Sequence, residues 1–504
     1  MDYTSRLPTE LIACILDHLD QPDVLSTAAL CHRWRDATKL HPHFYAHVES
    51  KRKGNSQPRN AFNTEQVAAS TVFDTIDRFA LKVDRASVLF HRLTLDVDVQ
   101  FVVADLRKGG LNPTRVARSL TDAVLPILSR TVKLRLATSS DILNAILPLL
   151  CAPAPLLRRL ALVDMNPPQP DIFALSHYAA LENMCTIPHD LLHGSALKHV
   201  HLSGMSIDVT APSAFARAVH VDLSNHRIAE FSNICTAFPS MITLSMYNAL
   251  LGRSSDDDED IIFPPTTSST LRSLRISIFA RHPWPARFVA AIRRLHALCH
   301  IHVAFLNFSS NLDASPFLAG FGSGPVRVKL CSIPPHTTKV VVPRIGANDV
   351  TTTRSFSVVE SGLGFGSETT SPCIGLLRSL NVVWPHVTHL DVSRKCLQSL
   401  AIVSPAMPTL EVAAVDMAYH PHAHDRDTFW RGGPHNRGTR SFRQLILYDA
   451  SGGTSVLSTY VVDISHTLGA KRWETLTLRG VTMHVHMSEY PPTLAETFAS
   501  IQEE

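Results

Sequence analysis

Apolar residues near the N-terminus recur at helical spacing and form one stripe from Leu7 to Leu19. Pro8 and Glu10 suit the start of this helix, because proline needs no N–H partner there and a carboxylate interacts favourably with the N-terminal end of the helix dipole. A short polar break separates the stripe from a second helical stretch. We therefore predict a small all-α module over residues 1–48.

The pattern changes beyond residue 65, where short strands with alternating apolar positions recur. Their template is apolar-x-x-apolar-x-apolar. The copies begin at Phe90, Thr131, Leu157, Leu197, Ala218, Met241, Leu271, Leu298, Val326, Leu377, Val387, Leu397, Phe442 and Trp473. Helical periodicity is found between several copies, at Val116–Arg130, Ala286–Cys299 and Ser455–Gly469.

These strand–helix units resemble leucine-rich repeats, whose units bury their apolar faces only against their neighbours. The Asn or Cys that ends each repeat of that family is replaced here, for example by Met165 and Phe279, so we expect irregular coils. A twisted α/β domain with parallel strands is the alternative interpretation. The predicted fold class is α/β, a small all-α module followed by an irregular leucine-rich-repeat-like α/β solenoid.

Changes in composition predict the boundaries between these regions. Polar and basic residues 49–65 are expected to form a linker, residues 66–486 the repeat domain, and residues 487–504 a C-terminal tail or cap. Three polar segments are predicted to interrupt the repeats as loops or protrusions: Ser254–Thr270, Pro343–Cys373 and Tyr419–Arg440.

Charge and cysteine usage exclude several functional classes. The 504 residues contain 47 Lys plus Arg and 44 Asp plus Glu, so the formal net charge of +3 does not favour nucleic-acid binding. The nine cysteines are scattered and never spaced as C-x-x-C, which predicts neither a disulfide framework nor a thiolate zinc site. With no secretory signal and no apolar run that could span a bilayer, we expect a protein of the cytoplasm or nucleus without membrane contact.

The strongest chemical candidate is the segment His420–Asp427, in which three imidazoles and two carboxylates are close enough in sequence to suggest zinc. A polar surface loop in a histidine-rich chain is the simpler interpretation. Glycine-rich stretches lack the spacing of phosphate loops, and no nucleophile signature is present. We therefore predict no enzymatic activity, no cofactor and no metal.

The N-terminal module resembles an F-box. The positions that match that family in register are Leu7, Pro8, Glu10, Leu11, Ile15, Leu16, Leu19, Asp23, Val24, Leu25, Cys31, Arg33, Trp34, Arg35, Pro42 and Phe44. The remainder resembles, in general style, the repeat regions of fungal F-box proteins. The resemblance implies binding to the adaptor of SCF-type cullin–RING ubiquitin ligases. The residues implied at or beneath that contact are Leu7, Pro8, Leu11, Ile15, Leu16 and Leu19, with Trp34 packing the module together.

The resulting hypothesis is a substrate receptor. The F-box would bind the adaptor, and the repeat domain would bind an unknown protein target for ubiquitination. Two alternatives remain open at this point: a metal-dependent enzyme that uses His420–Asp427, and an F-box scaffold protein with no role in degradation.

Overall fold

The structure is a computed structural model that describes most of the predicted elements. The described residues are 7–51 without 20, 42–43 and 45–46; 76–84; 95–100; 112–165; 185–207; 213–226; 231–249; 270–278; 286–306 without 296–297; 314–318; 324–345 without 334–336; 351–359; 372–418 without 404; 440–484 without 451, 453 and 469; and 492–504. The chain forms two compact units, the first containing Met1–Tyr247 and the second containing Arg272–Glu504.

The first unit begins with three short helices and continues as alternating strands and helices. Its described α-helices are α1 (Thr9–Asp17), α2 (Gln21–Thr27), α3 (His32–Leu40), α4 (76–84), α5 (Pro113–Leu128), α6 (Ser140–Ile146) and α7 (Phe231–Ala237). The predicted helix at Val116–Arg130 corresponds to α5, in which Val116, Leu120, Val124 and Leu128 are buried as their helical spacing requires.

In the part of this unit that the structure describes, seven parallel strands form a sheet, and each pairs with the next of the seven in chain order. They are β1 (His47–Lys51), β2 (Leu95–Gln100), β3 (Thr131–Thr138), β4 (Arg159–Asp164), β6 (His199–Ser203), β8 (His220–Ser224) and β9 (Thr243–Ala249). Two-residue strands β5 (Cys185–Thr186) and β7 (Met205–Ser206) pair separately.

One face of this sheet is buried and the other is open. In β4 the burial alternates residue by residue, with Leu160 and Leu162 inside and Arg159 and Ala161 outside. The same alternation in β8 buries Val221. Because successive side chains of a strand point to opposite faces, the outward residues of neighbouring strands form rows across the open face.

The second unit contains a sheet of ten strands among the described residues. They are β10 (Ser273–Ile278), β11 (His300–Phe305), β12 (Val326–Ile333), β13 (Thr337–Ile345), β14 (Thr351–Val359), β15 (Val387–Ser393), β16 (Val412–Asp416), β17 (Arg440–Tyr448), β19 (Ala470–Arg479) and β21 (Phe498–Glu503). A separate parallel pair consists of β18 (Thr454–Leu457) and β20 (Val481–His484). The described helices are α8 (Ala286–Arg294), α9 (Ser315–Leu318), α10 (Pro372–Ser379), α11 (Arg394–Val403), α12 (Ser458–Thr467) and α13 (Pro492–Thr497).

A local change of strand order interrupts the parallel pattern of the second unit. β11 pairs in parallel with β14, and β13 lies antiparallel between β14 and β12. The parallel order resumes when β12 pairs with β15. Strand β14 falls within Pro343–Cys373, which was predicted to be a protrusion, so that prediction is wrong for residues 351–359.

Two copies of the strand template are helical instead. The copy at Leu377 belongs to α10 and the turn after it, and the copy at Leu397 lies in α11. Their apolar residues are three apart, a spacing that also fits one face of a helix. Leu377 and Leu380, and likewise Leu397 and Leu400, are fully buried, as a helical face allows.

Three features of the structure concern the predicted domain boundaries. Residues 49–51 of the predicted linker 49–65 belong to β1 and pair with β2, whereas residues 52–65 lie outside the described residues. The predicted repeat domain 66–486 extends over parts of both units. Residues 487–504, predicted to form a C-terminal tail or cap, include β21, which pairs in parallel with β19.

Two further expectations concern membranes and metals. No helix among the described residues is both long and apolar enough to cross a bilayer. Those residues also contain no group of three or more His, Cys, Asp and Glu side chains placed to hold a metal ion. The segment His420–Asp427 lies outside the described residues, so its predicted chemistry remains a prediction.

Candidate functional site

The N-terminal module is built around a small apolar core between α1, α2 and α3. The buried members of this core are Ile12, Leu16, Val24, Trp34 and Ala37, and the partly buried side chains packed against it are Leu7, Leu19, Cys31 and Phe44. Five buried side chains provide little free energy for a module of this size, since each contributes at most about 1.5–3 kcal/mol. Such a module therefore depends on additional contacts for robust folding.

Helix α1 starts one residue later than predicted. Pro8 precedes the helix with an extended ψ of 147°, and Thr9 is its first residue. The carbonyl of Pro8 accepts hydrogen bonds from the N–H groups of Leu11 and Ile12 at 3.1 and 3.2 Å. Glu10 lies in the first turn, as its favourable interaction with the helix N-terminus predicts.

The second predicted helix is in fact two helices, separated by a turn at residues 28–30. Cys31, with extended backbone dihedral angles, precedes α3. Polar contacts hold the two halves together: the hydroxyls of Thr27 and Thr38 are hydrogen-bonded at 3.0 Å, and the Arg35 guanidinium donates to the carbonyl of Ala28 at 3.1 Å. These contacts fix how α2 and α3 are arranged.

A hydrogen bond also connects the two ends of the module. The Nε2 atom of His41, which is buried, lies 3.0 Å from the carboxylate of Asp17, which is largely exposed. Asp17 ends α1 and His41 follows α3 directly, so the pair ties the end of the first helix to the end of the third.

The seven residues implied as adaptor contacts occupy different depths. Leu16 and Trp34 are buried in the core, with relative exposures of 0 % and 5 %, and therefore lie beneath the surface. Leu7 and Leu19 are partly buried against that core. Pro8, Leu11 and Ile15 are exposed, so these three are available for direct contact with a partner.

Exposed apolar side chains are concentrated in this module. Among the described residues, thirteen large apolar side chains are exposed, and five of them lie between residues 11 and 40. They are Leu11, Ile15, Leu25, Leu30 and Leu40, with relative exposures of 50, 39, 47, 64 and 69 %. A concentration of this kind in so short a segment is typical of a protein-binding surface.

Sequence reasoning did not assign Leu25, Leu30 or Leu40 to the surface, or Ile12 to the core. Leu25 directly follows the buried Val24, so its side chain points about 100° away around the helix. The same argument applies to Leu11 and Ile12. If each residue had been placed around the helix axis relative to a core residue, at 100° per residue, Leu11 and Leu25 would have been identified as exposed positions.

Comparison with protein families tests the resemblance of the N-terminal module to an F-box. The F-box domain model matches residues 4–45, the segment that contains α1, α2 and α3. This match confirms the predicted resemblance of the segment to an F-box. No curated protein matches the chain.

Proposed function

Since the chain is an F-box protein, we propose that it is a substrate receptor of an SCF-type cullin–RING ubiquitin ligase. F-box domains bind the adaptor of these ligases, and the exposed leucines of α1 to α3 provide an apolar surface for such a contact. The observation that carries the proposal is that Leu11 and Ile15 are exposed on α1 while Ile12 and Leu16 fill the core.

The remainder of the chain is proposed to bind the target protein. Parallel strands that pair in chain order, with one face buried and one open, support a leucine-rich-repeat-like solenoid in which each repeat packs against its neighbours. The open face supplies a continuous surface for a partner. The chain itself is proposed to carry out no chemistry and to work in the cytoplasm or nucleus.

The connection between the two regions is short, which supports a shared role. α3 ends at Leu40 and β1 begins at His47. Because β1 pairs with β2, the chain enters the sheet of the first unit within a few residues of the F-box helices. An adaptor bound to the F-box is thereby joined to the sheet without a long flexible linker.

Replacing the exposed pair on α1 tests the adaptor contact. In the variant Leu11→Asp/Ile15→Asp, two carboxylates would have to be desolvated at the interface. Each fully buried Leu or Ile contributes about 1.5–3 kcal/mol, so adaptor affinity should fall by at least about 100-fold. The measurement is titration of the purified adaptor against the full-length chain.

The matched control is Leu81→Asp/Leu149→Asp, which changes two exposed leucines outside the F-box. Adaptor affinity of the control should equal that of the wild type, and circular dichroism should show that both variants are folded. Adaptor binding that survives Leu11→Asp/Ile15→Asp would overturn the proposed contact. This pair is preferred to Leu7 because Leu7 packs against the core, where a substitution also affects folding.

A further inference from the structure

The hydrogen bond between Asp17 and His41 lies where two helices of the F-box end. Asp17 is the last residue of α1, and His41 directly follows Leu40, the last residue of α3. The Oδ1 atom of Asp17 and the Nε2 atom of His41 are 3.0 Å apart. The contact therefore joins two helix ends whose residues are 24 positions apart in the chain.

The two side chains of this pair differ in exposure. That of His41 is 5 % exposed, whereas that of Asp17 is 65 % exposed. The imidazole is thus enclosed by the module, while the carboxylate reaches it from the surface. Asp17 is not part of the apolar core, so its side chain can be shortened without leaving a cavity there.

The backbone of His41 belongs to the same junction. Its N–H donates to the carbonyl of Thr38 at 3.1 Å, and its carbonyl accepts from the N–H of Phe44 at 3.0 Å. Thr38 is fully buried, and Phe44 packs against the core. The imidazole therefore connects the end of α1 to a segment whose backbone is already anchored to the module.

Leu40 is the exposed apolar side chain nearest to this junction in the chain. Its relative exposure of 69 % is the largest among the exposed large apolar side chains of the described residues. The last turn of a helix has carbonyl groups without intrahelical partners, and helix ends fray. Because Asp17 fixes the residue after Leu40, Leu40 keeps a defined position relative to the exposed side chains of α1.

The pair is not part of the F-box pattern found in the sequence. Neither Asp17 nor His41 is among the positions that match that family in register. Arg35 is one of those positions, and its guanidinium donates to the carbonyl of Ala28 in the turn before α3. The start of α3 is thus fixed by a residue of the family pattern, and its end by a contact of this chain.

We propose that the Asp17–His41 pair is a positioning contact, which places Leu40 where the adaptor binds it together with the exposed side chains of α1. A surface whose side chains are already in place loses less conformational entropy when its partner binds. The pair acts through Leu40. This inference rests on the proposed receptor function, because it specifies how the adaptor-binding surface is arranged.

The key variant is Asp17→Ala, which removes the carboxylate from the pair. Adaptor affinity should fall by about threefold to tenfold, since the end of α3 and the side chain of Leu40 must then be ordered on binding. The measurement is titration of the purified adaptor against the full-length chain. Unchanged affinity in Asp17→Ala would overturn the proposal.

Hydrogen exchange of the full-length protein provides a second readout. In Asp17→Ala the amides from Thr38 to His41 should exchange faster, because the end of α3 opens more easily. The amides of α2 should exchange at the wild-type rate. Faster exchange throughout α1, α2 and α3 would mean that the whole module is destabilised, which would contradict a local positioning role.

Two further variants separate the hydrogen bond from a change of charge. Asp17→Asn retains an oxygen acceptor and gains N–H donors, so it can pair with either neutral tautomer of His41 and should bind the adaptor within about twofold of wild type. The matched control is Asp36→Ala, which removes one exposed carboxylate from α3 and should also bind within about twofold. A loss in either variant equal to that in Asp17→Ala would indicate an effect of charge and contradict the proposal.

A double-mutant cycle tests whether the effect passes through Leu40. Leu40→Ala alone should lower adaptor affinity by about tenfold, because it removes an apolar contact. Adding Asp17→Ala to this variant should lower the affinity no further, within about twofold. Added to Leu11→Ala, it should cost as much as in the wild type. Equal costs in the two backgrounds would indicate a general structural role for Asp17 and overturn the proposal, as would wild-type affinity in Leu40→Ala.

The same titrations separate this inference from the receptor function. If the wild type binds the adaptor, Leu11→Asp/Ile15→Asp binds it weakly and Asp17→Ala binds it as the wild type does, the positioning role is wrong and the receptor function stands. If the wild type does not bind the adaptor, the receptor function itself fails.

Discussion

Leu11 and Ile12 are neighbours in the chain and have opposite environments. Leu11 is half exposed and Ile12 is fully buried, and Ile15 and Leu16 repeat this difference one turn later. The cause is the 100° rotation per residue of an α-helix, which gives adjacent side chains different faces. One apolar stripe therefore holds the F-box together, and the stripe beside it remains exposed, where the proposed adaptor contact lies.

His302 on β11 shows how the surroundings of one residue determine its protonation. Its Nδ1 atom lies 2.8 Å from the hydroxyl of Ser355, and its Nε2 atom lies 3.4 Å from that of Ser357. Burial, and then the positive charges of Lys339 and Arg275, lower the pKa of His302 from 6.5 to about 4. The ring is therefore neutral in the folded protein at neutral pH.

This shift predicts a pH-dependent loss of stability. Well above pH 6.5 the ring is neutral in both the folded and the unfolded state and contributes no pH dependence. As pH falls from 6.5 towards 4, the unfolded chain binds a proton that the folded chain does not bind, so the free energy of unfolding decreases. The variant His302→Gln, which retains a hydrogen-bonding side chain, should show a weaker decrease over this range.

Urea unfolding at pH 7 and at pH 5 measures this effect. His300→Gln is the matched control, because His300 lies on the same strand but is exposed. The control should lose stability on acidification as the wild type does. The same loss in His302→Gln as in the wild type would contradict the role assigned to His302.

At the scale of elements, the turn between β19 and β20 depends on Gly480. Its φ is +63°, and a Cβ atom built there would lie 2.6 Å from the carbonyl oxygen of Asp449. Asp449 is itself held in place, since its N–H donates to the carbonyl of Arg479 at 2.9 Å. The backbone approach at this turn requires the absence of a side chain.

Gly480→Ala should therefore destabilise the second unit, and Gly452→Ala provides the matched control. Gly452 has a similar φ of +71°, but a Cβ atom there would meet no atom within 4 Å. Both variants lose about 1–2 kcal/mol from the left-handed backbone. Gly480→Ala should lose about 1–3 kcal/mol more because of the clash. Equal free energies of unfolding in urea for the two variants would contradict the proposed close approach.

Strand pairing at this scale depends on contacts that are distant in sequence. The alternating pattern of Val326–Ile333 predicts β12, but its partners are β13 and β15 and not the preceding strand β11. β13 and β14 insert between them as an antiparallel pair. An alternating pattern specifies which face of a strand is buried, but hydrogen bonding to either neighbour satisfies its backbone equally well.

At the scale of the whole molecule, the F-box and the open face of the first unit have different surface chemistry. The former exposes leucines, and the latter exposes charged side chains such as Lys133 and Arg159. Substitutions in the two regions should therefore have separable effects. Variants of each region can therefore be used to distinguish a receptor that promotes degradation from a scaffold that only binds partners.

In cells, proximity labelling with the wild type identifies candidate targets, and their half-lives test the function. Leu11→Asp/Ile15→Asp should retain target association but lengthen target half-life, because the adaptor is no longer recruited. Lys133→Glu/Arg159→Glu, which reverses two exposed charges on the open face proposed to bind the target, should lengthen half-life by weakening target binding. Target half-lives that are unchanged in both variants would support the scaffold alternative and contradict a role in degradation.

The sequence by itself determined the features that depend on local spacing. Helical stripes identified the N-terminal helices, and alternation identified strands such as Thr131–Thr138, because these periodicities follow from backbone geometry. The segments that begin at Leu377 and at Leu397 were ambiguous for a physical reason. Apolar residues three apart fit one face of a helix as well as they fit the repeat template.

Only the tertiary structure decided which outward residues become neighbours. Lys133 and His220 are 87 positions apart in the chain, yet strand register places them on one row with Arg159 and His199 between them. Lateral register depends on how helices and loops of unequal length pack between strands, which no local pattern encodes. The N-terminal segment therefore indicated an F-box, and the packed sheet decided which side chains lie together on its open face.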